Sequence, residues 1–292
     1  MNPVLLSFGH GYSARALASR LIPRGWRVIG TTRSAGKAEA LKAEGVEPLV
    51  WPGGDPGSAL ARATHLLSSV APDADGDPVL AACAEAIAAR APALEWAGYL
   101  STTGVYGDRG GDWVDEQAPL GPATGRGRRR VAAEAAWQRL AGTSGLPLHI
   151  FRLAGIYGPG RGPFEKVRAG TARRIVKPGQ VFSRIHVDDI ARVLEASIAR
   201  PRPGAVYNVC DDEAAPPEDV LAHAAHLLGL PPPPEVAFED AEMSPMARSF
   251  YAESKRVSNR RMRDELGVAP LYPTYREGLA ALLEAEPGRR PG

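Results

Sequence analysis

Gly9-His10-Gly11-Tyr12-Ser13-Ala14 is the stretch whose residue types and spacing point most directly to chemistry. Glycine lets a backbone approach a ligand with no side chain between them, and the small Ala14 lets a helix pack closely on a strand. Amides left open at the start of such a helix, with the positive end of its dipole, suit a pyrophosphate. Gly9, His10, Gly11, Tyr12 and Ser13 are therefore candidate contacts to a dinucleotide, with His10 expected to be exposed near the phosphates. An NAD site usually carries an acid after its second strand, but this sequence has Thr31-Thr32-Arg33-Ser34, with no Asp or Glu before Glu39. Arginine suits a 2′-phosphate, so NADP is expected over NAD, with Arg33 as chief reader and Ser34 or Lys37 as helpers. Ser68 and Ser69 end a fourth apolar run and are candidates to face the cofactor ribose, or simply to end the strand.

Elements of a definite kind must hold these residues. Short apolar runs predict strands near 3–7, 26–31, 47–51, 64–69, 97–102 and 148–154, alternating with helical patterns, and that alternation implies a parallel sheet covered on both faces. Asp77-Pro78 reads as an N-cap acid followed by proline at the first helical position, with the helix running to Arg90. Another helix is expected from about Arg128 to Leu140. After Leu153 comes a glycine- and proline-rich loop through Pro163. A helix capped by Asp188 and Asp189 to about Ala199 follows, then a strand at 205–209, a helix near 217–228, a strand near 236–239 and helices near 258–266 and 273–285. The tail from Pro287 is expected to fray.

The chain has 292 residues, enough for two lobes, and its 35 basic against 33 acidic residues leave a formal charge of +2 that argues against nucleic acid as a partner. Its aromatic residues are scattered and give no stacking platform. Cys83 and Cys210 read as buried small hydrophobes in a reducing compartment. His149, His223 and His226 form no metal-type pattern, so no metal is expected. No apolar run is long enough to span a bilayer and the N-terminus lacks a signal-peptide pattern, so a soluble cytoplasmic protein is expected.

Four segments together resemble the short-chain dehydrogenase/reductase superfamily, in the extended branch of NAD(P)-dependent epimerases, dehydratases and reductases. They are the glycine turn, Ser101-Thr102-Thr103-Gly104-Val105-Tyr106-Gly107, Arg152 to Arg161, and Arg184-Ile185-His186-Val187-Asp188-Asp189-Ile190. The resemblance implies an α/β fold, a Rossmann doubly wound parallel sheet of residues 1–155 and 182–212, with a smaller discontinuous substrate lobe of residues 156–181 and 213–292. Substrate would lie in the cleft between them, and a homodimer is compatible with the family.

The resemblance fails where the family keeps its chemistry. Its tyrosine four residues before a lysine aligns with Thr124 and Arg128. Thr102 fits the family's serine or threonine that holds the reacting oxygen. Thr124 is a poor proton donor, while Arg128 could still hold a ribose or a phosphate. Tyr106 and His186 are the candidates for the missing acid/base role, the alternatives being packing or substrate contact for Tyr106 and a positional role for His186. Arg152 and Arg161 suit a carboxylate or phosphate on the substrate, and the arginine run 126–130 reads as an anion-binding rim or a solvated helix start. Two functions fit: an NADP-dependent oxidoreductase, epimerase or dehydratase acting on a small polar, anionic or sugar-like molecule, or a non-catalytic NADP-binding sensor or scaffold.

Overall fold

The computed structural model describes residues 2–286; the tail expected to fray lies outside them. Seven strands build one parallel sheet: β1 (Val4–Phe8), β2 (Arg27–Thr32), β3 (Glu47–Val50), β4 (His65–Ser68), β5 (Trp96–Thr102), β6 (Leu148–Leu153) and β7 (Val206–Val209). Their order is β7-β6-β5-β4-β1-β2-β3, with register pairs such as Leu6 to Leu66 and Tyr99 to Ile150. The order reverses at β1, so the crevice between the carboxyl ends of β1 and β4 is where a ligand of such a sheet binds. Gly9 and Ser69 follow those two strands directly.

Central strands covered on both faces need continuous apolar runs, and Val4-Leu5-Leu6-Ser7-Phe8 is buried throughout. On one face lie α1 (Tyr12–Leu21) and α2 (Ala35–Ala43); on the other lie α3 (Gly57–Arg62), α4 (Pro78–Arg90) and α5 (Gly125–Ser144). The short α6 (Phe164–Arg168) precedes α7 (Val187–Ala199), which returns to pack against α1. Cys83 and Cys210 are buried and free, as their apolar settings predict. Among the described residues no helix is long and apolar enough to cross a membrane.

The remaining helices are α8 (Pro217–Leu227), α9 (Pro245–Phe250), α10 (Arg260–Leu266) and α11 (Tyr275–Glu284). Tyr157, Phe164, Val167, Ala224, Tyr275 and Leu279 form a separate apolar cluster beyond the sheet. A strand at Glu235–Ala237 pairs there with Arg174–Val176.

Two helix starts differ from expectation, each for a local reason. Helix α5 begins before Arg128, because the Thr124 hydroxyl accepts from the Gly127 amide at 3.0 Å and caps it in spite of the arginines that follow. Helix α7 is capped by His186 rather than by the aspartates: its Nδ1 accepts from the Asp188 amide at 3.2 Å. Asp189 instead accepts from the amides of Leu271 and Tyr272 at 2.6 and 3.1 Å, tying the C-terminal segment to α7.

Candidate functional site

The turn after β1 is built from glycine because nothing else fits. Gly9 has φ +71°, and a Cβ there would meet Val70 Cγ2 at 3.0 Å and Ser69 Oγ at 3.2 Å. Its amide donates to Thr31 Oγ1 at 2.8 Å, and the Gly11 amide donates to the Gly9 carbonyl at 2.6 Å. Gly11 is the N-cap of α1 but has no side chain to cap it, and no acid stands in the first turn. The first-turn amides of α1 have no intrahelical acceptor by construction, so they are open to an anion.

His10 is buried, correcting the expectation of exposure. Its ring fills the space above Gly30, where a Cβ would come within 2.7 Å of His10 Cγ. Neither ring nitrogen has a hydrogen-bond partner among the described residues, and burial lowers its pKa to about 4. It shapes the turn as a neutral ring.

The glycine turn opens on a cleft of about 840 Å³ whose lining includes Gly9, Gly11, Tyr12, Ser13 and Ser69. Ser68 is fully buried and does not line it. Arg33 and Ser34 follow β2 outside this lining; Arg33 is exposed and makes no hydrogen bond or ion pair among the described residues, while Ser34 Oγ caps α2 by accepting from the Lys37 amide at 3.4 Å. On the far wall Thr102 ends β5 and accepts from the Gly104 amide at 3.2 Å, which leaves its own hydroxyl proton free for a ligand.

Helix α5 presents a different face to the cleft from the one expected. Thr124 lines the wall with its oxygen used as a cap, whereas Arg128 is outside the lining and donates to the Ala123 carbonyl at 3.0 Å. The pair spaced by four that does line the cleft is Arg126 and Arg130. Arg130 donates to the Leu100 carbonyl at 2.8 Å and to Tyr99 Oη at 2.9 Å, bracing the end of β5.

Tyr106 and Arg152 lie away from the cleft, in the interior. The Tyr106 hydroxyl donates to Asn208 Oδ1 at 2.7 Å and accepts from Arg152 Nη1 at 2.9 Å, and burial pushes its pKa up to about 12. Arg152 is 5% exposed and binds Glu134 through Nη2 at 2.8 Å and Nε at 3.2 Å. Both residues hold structure together. His186 is also outside the lining, stacked edge-on against Tyr157 and Tyr272, and burial depresses its pKa.

Arg161 does line the cleft, its guanidinium 4.3 Å from the centre of the Tyr12 ring. Three further residues were not among the candidates: Arg184 opens the segment that holds His186, and Glu253 and Lys255 come from a stretch that gave no chemical signal in sequence. Arg184 lines the cleft. Lys255 and Glu253 also line it, their side chains paired at 2.8 Å, and Lys255 Nζ donates to the Gly107 carbonyl at 2.8 Å. Only the fold brings them to the cleft that Thr102 lines.

Residues 79–210 match the NAD dependent epimerase/dehydratase family. The chain is also 31% identical over 280 residues to Protein YeeZ of Escherichia coli strain K12, covering 91% of this chain and 94% of that protein. The chain belongs to the NAD dependent epimerase/dehydratase family. A functionally unknown conserved protein from Silicibacter pomeroyi DSS has 62% identity and a TM-score of 0.92, over 98% of this chain and all of that one. A dTDP-glucose 4,6-dehydratase from Bacillus anthracis, solved with NAD, shares the fold at TM-score 0.76 and 16% identity over 97% and 96% of the two chains. Family membership supports a nucleotide-binding, epimerase-like role.

Proposed function

We propose that this chain is an enzyme that uses a nicotinamide dinucleotide, NADP in preference to NAD, to reduce, epimerise or dehydrate a small polar, anionic or sugar-like substrate. The observation that carries this reading is the uncapped start of α1 at the edge of the large cleft. When bound, the dinucleotide supplies the hydride donor or acceptor. The open amides of the glycine turn would hold its diphosphate. Arg33, unpaired at the end of β2 where no carboxylate stands, would take the 2′-phosphate.

The cleft-lining side chains narrow the proton route. Arginine does not give up its proton in a protein. Burial raises the phenols of Tyr12 and Tyr157 above their ordinary range, Tyr157 far above it. Lys255 and Glu253 are the charged pair among the cleft-lining residues, with Thr102 placed to hold the substrate oxygen. A non-catalytic sensor is the second reading, favoured by the arginines that α5 turns into the cleft.

The test is a calorimetric titration of the purified protein with NADPH and with NADH, repeated on Arg33→Ala. NADPH is expected to bind at least about tenfold more tightly than NADH, and the variant to lose that preference, since one hydrogen-bonded charge contact contributes about 1.5–3 kcal/mol. Equal affinities would remove the NADP assignment; no binding of either nucleotide would remove the enzyme reading with it.

A further inference from the structure

Beside the main cleft lies a second cavity of about 360 Å³, walled by Ile156, Tyr157, Arg161, Arg184, Val220 and Tyr275 among others. Arg161, Arg184, Ile156 and Tyr157 line both spaces, so the cavity is a side chamber of the cleft. Its size falls within the range of small-molecule sites. Two arginines line it, and no acid does.

Neither arginine has a carboxylate within ion-pair distance among the described residues. Arg184 uses only Nη1, donating to the carbonyls of Phe182 and Ala215 at 2.9 and 3.0 Å. Arg161 stacks on Tyr12 and is otherwise open to the two spaces. Arg184 is partly withdrawn from water, where a guanidinium without a counter-ion is costly and an anion of matching geometry relieves the cost, while the exposed Arg161 adds a second donor fork. Tyr275 supplies an independent sign: it is 1% exposed, its hydroxyl has no hydrogen-bond partner among the described residues, and it lines the chamber. A buried hydroxyl left without a partner is unusual. The remaining wall, Ile156, Val220 and Leu279, is apolar.

We infer that this side chamber binds the acidic end of the substrate: a carboxylate or phosphate taken by Arg184, Arg161 and the Tyr275 hydroxyl, carried on an apolar or aromatic body that packs against Val220 and Leu279. The inference rests on the substrate-binding reading of the cleft and narrows it to acids with an apolar side. A neutral molecule of the same shape would leave both guanidinium groups and the hydroxyl unmatched. Asp211, the acid nearest in influence to Arg184, does not take the ligand's place: it makes no ion pair with it, and burial raises the Asp211 pKa to about 8, with Arg184 offsetting only part of the rise.

The experiment is calorimetry on the full chain with benzoate, phenyl phosphate, benzyl alcohol and UDP as probes, each with and without saturating NADPH. Expected is binding of benzoate or phenyl phosphate at least about tenfold tighter than benzyl alcohol, lost by about tenfold or more in Arg184→Met and weakened several-fold in Tyr275→Phe, with NADPH affinity unchanged in Tyr275→Phe, whose site lies outside the main cleft. The phenyl acid that binds more tightly identifies the anion as carboxylate or phosphate. Equal binding of benzyl alcohol, binding of UDP alone, no binding of either phenyl acid, or binding that both variants leave intact would each overturn the assignment. Tyr275→Phe removes one oxygen and keeps the ring, so it decides the matter if Arg184→Met fails to fold. Failure of NADPH to bind while the phenyl acids bind would refute the dinucleotide reading and leave the chamber standing.

Discussion

Arg152 and Arg184 are both drawn out of water, and the fold treats them in opposite ways. Arg152, on β6, meets Glu134 of α5 through two nitrogens, and the same carboxylate accepts from Ser101 of β5. Burial lowers its pKa, but the bond and charge of Glu134 together with Tyr106 outweigh it, and the net shift is upward. Arg184 hydrogen-bonds backbone carbonyls only and lies 6.0 Å from the centre of the Tyr275 ring; burial lowers its pKa, and the neighbouring Asp211 offsets only part of this. One guanidinium is a joint that holds β5, β6 and α5 together. The other is a socket facing two cavities. A carboxylate within ion-pair distance is what separates the two, and arginine content alone does not.

The largest effect should come from opening the joint. Glu134→Met leaves Arg152 buried and unpaired, and a loss of about 3–5 kcal/mol is expected in urea denaturation. The double variant Glu134→Met, Arg152→Met should recover most of that loss, because the stranded charge goes too. A single-variant loss under about 1 kcal/mol would mean that the pair is no joint.

The next effect, which sets in above about pH 4 and grows through neutral pH, is expected at Asp211. Its pKa is raised to about 8 in the folded state, mainly by burial, against a usual aspartate value of about 3.9. The folded state therefore binds the proton more tightly than the unfolded chain. The resulting penalty is absent below about pH 4, grows as pH rises, and is complete above about pH 8. Asp211→Asn removes it, so the variant should gain a few kcal/mol over the parent at pH 9 and nothing at pH 4. A gain of the same size at both values would assign the effect to packing instead.

The smallest stability change should belong to the socket. Arg184→Met keeps the volume and removes a cation that has no carboxylate, so unfolding free energy should move by less than about 1 kcal/mol or rise slightly. A loss like that of Glu134→Met would erase the distinction between the two arginines.

The sheet and the glycine turn were legible because both are local. Apolar runs and the Gly-x-Gly spacing report on strand and turn without reference to distant residues. The walls of the cleft were not. Thr124 and Arg128 have the right separation, but the cap at Thr124 and the close seat of Gly127, whose Cβ would lie 2.9 Å from the Gly104 carbonyl, turn Arg126 and Arg130 inward instead. Tyr106 follows Thr102 by a single 3-10 turn, and that turn carries it into the core. Arg152 is recognisable as structural only once Glu134, on another element, is seen beside it. Lys255 and Glu253 sit in no motif, and their place in the cleft depends on Ser254 and its neighbours returning to the Asp108–Gly111 loop.

Tyr12 belongs to both halves of the site. It is the first residue of α1, yet its hydroxyl donates to the Pro159 carbonyl at 2.9 Å and its ring lies under Arg161. The turn suited to a nucleotide and the arginine at the mouth of the side chamber are thus joined through one phenol. Thermodynamic linkage then applies: by whatever factor occupancy of the turn alters the affinity of the chamber, occupancy of the chamber alters that of the turn by the same factor. On the proposed reading, a change at Tyr12 that alters this coupling alters the nucleotide's effect on the acid and the acid's effect on the nucleotide together.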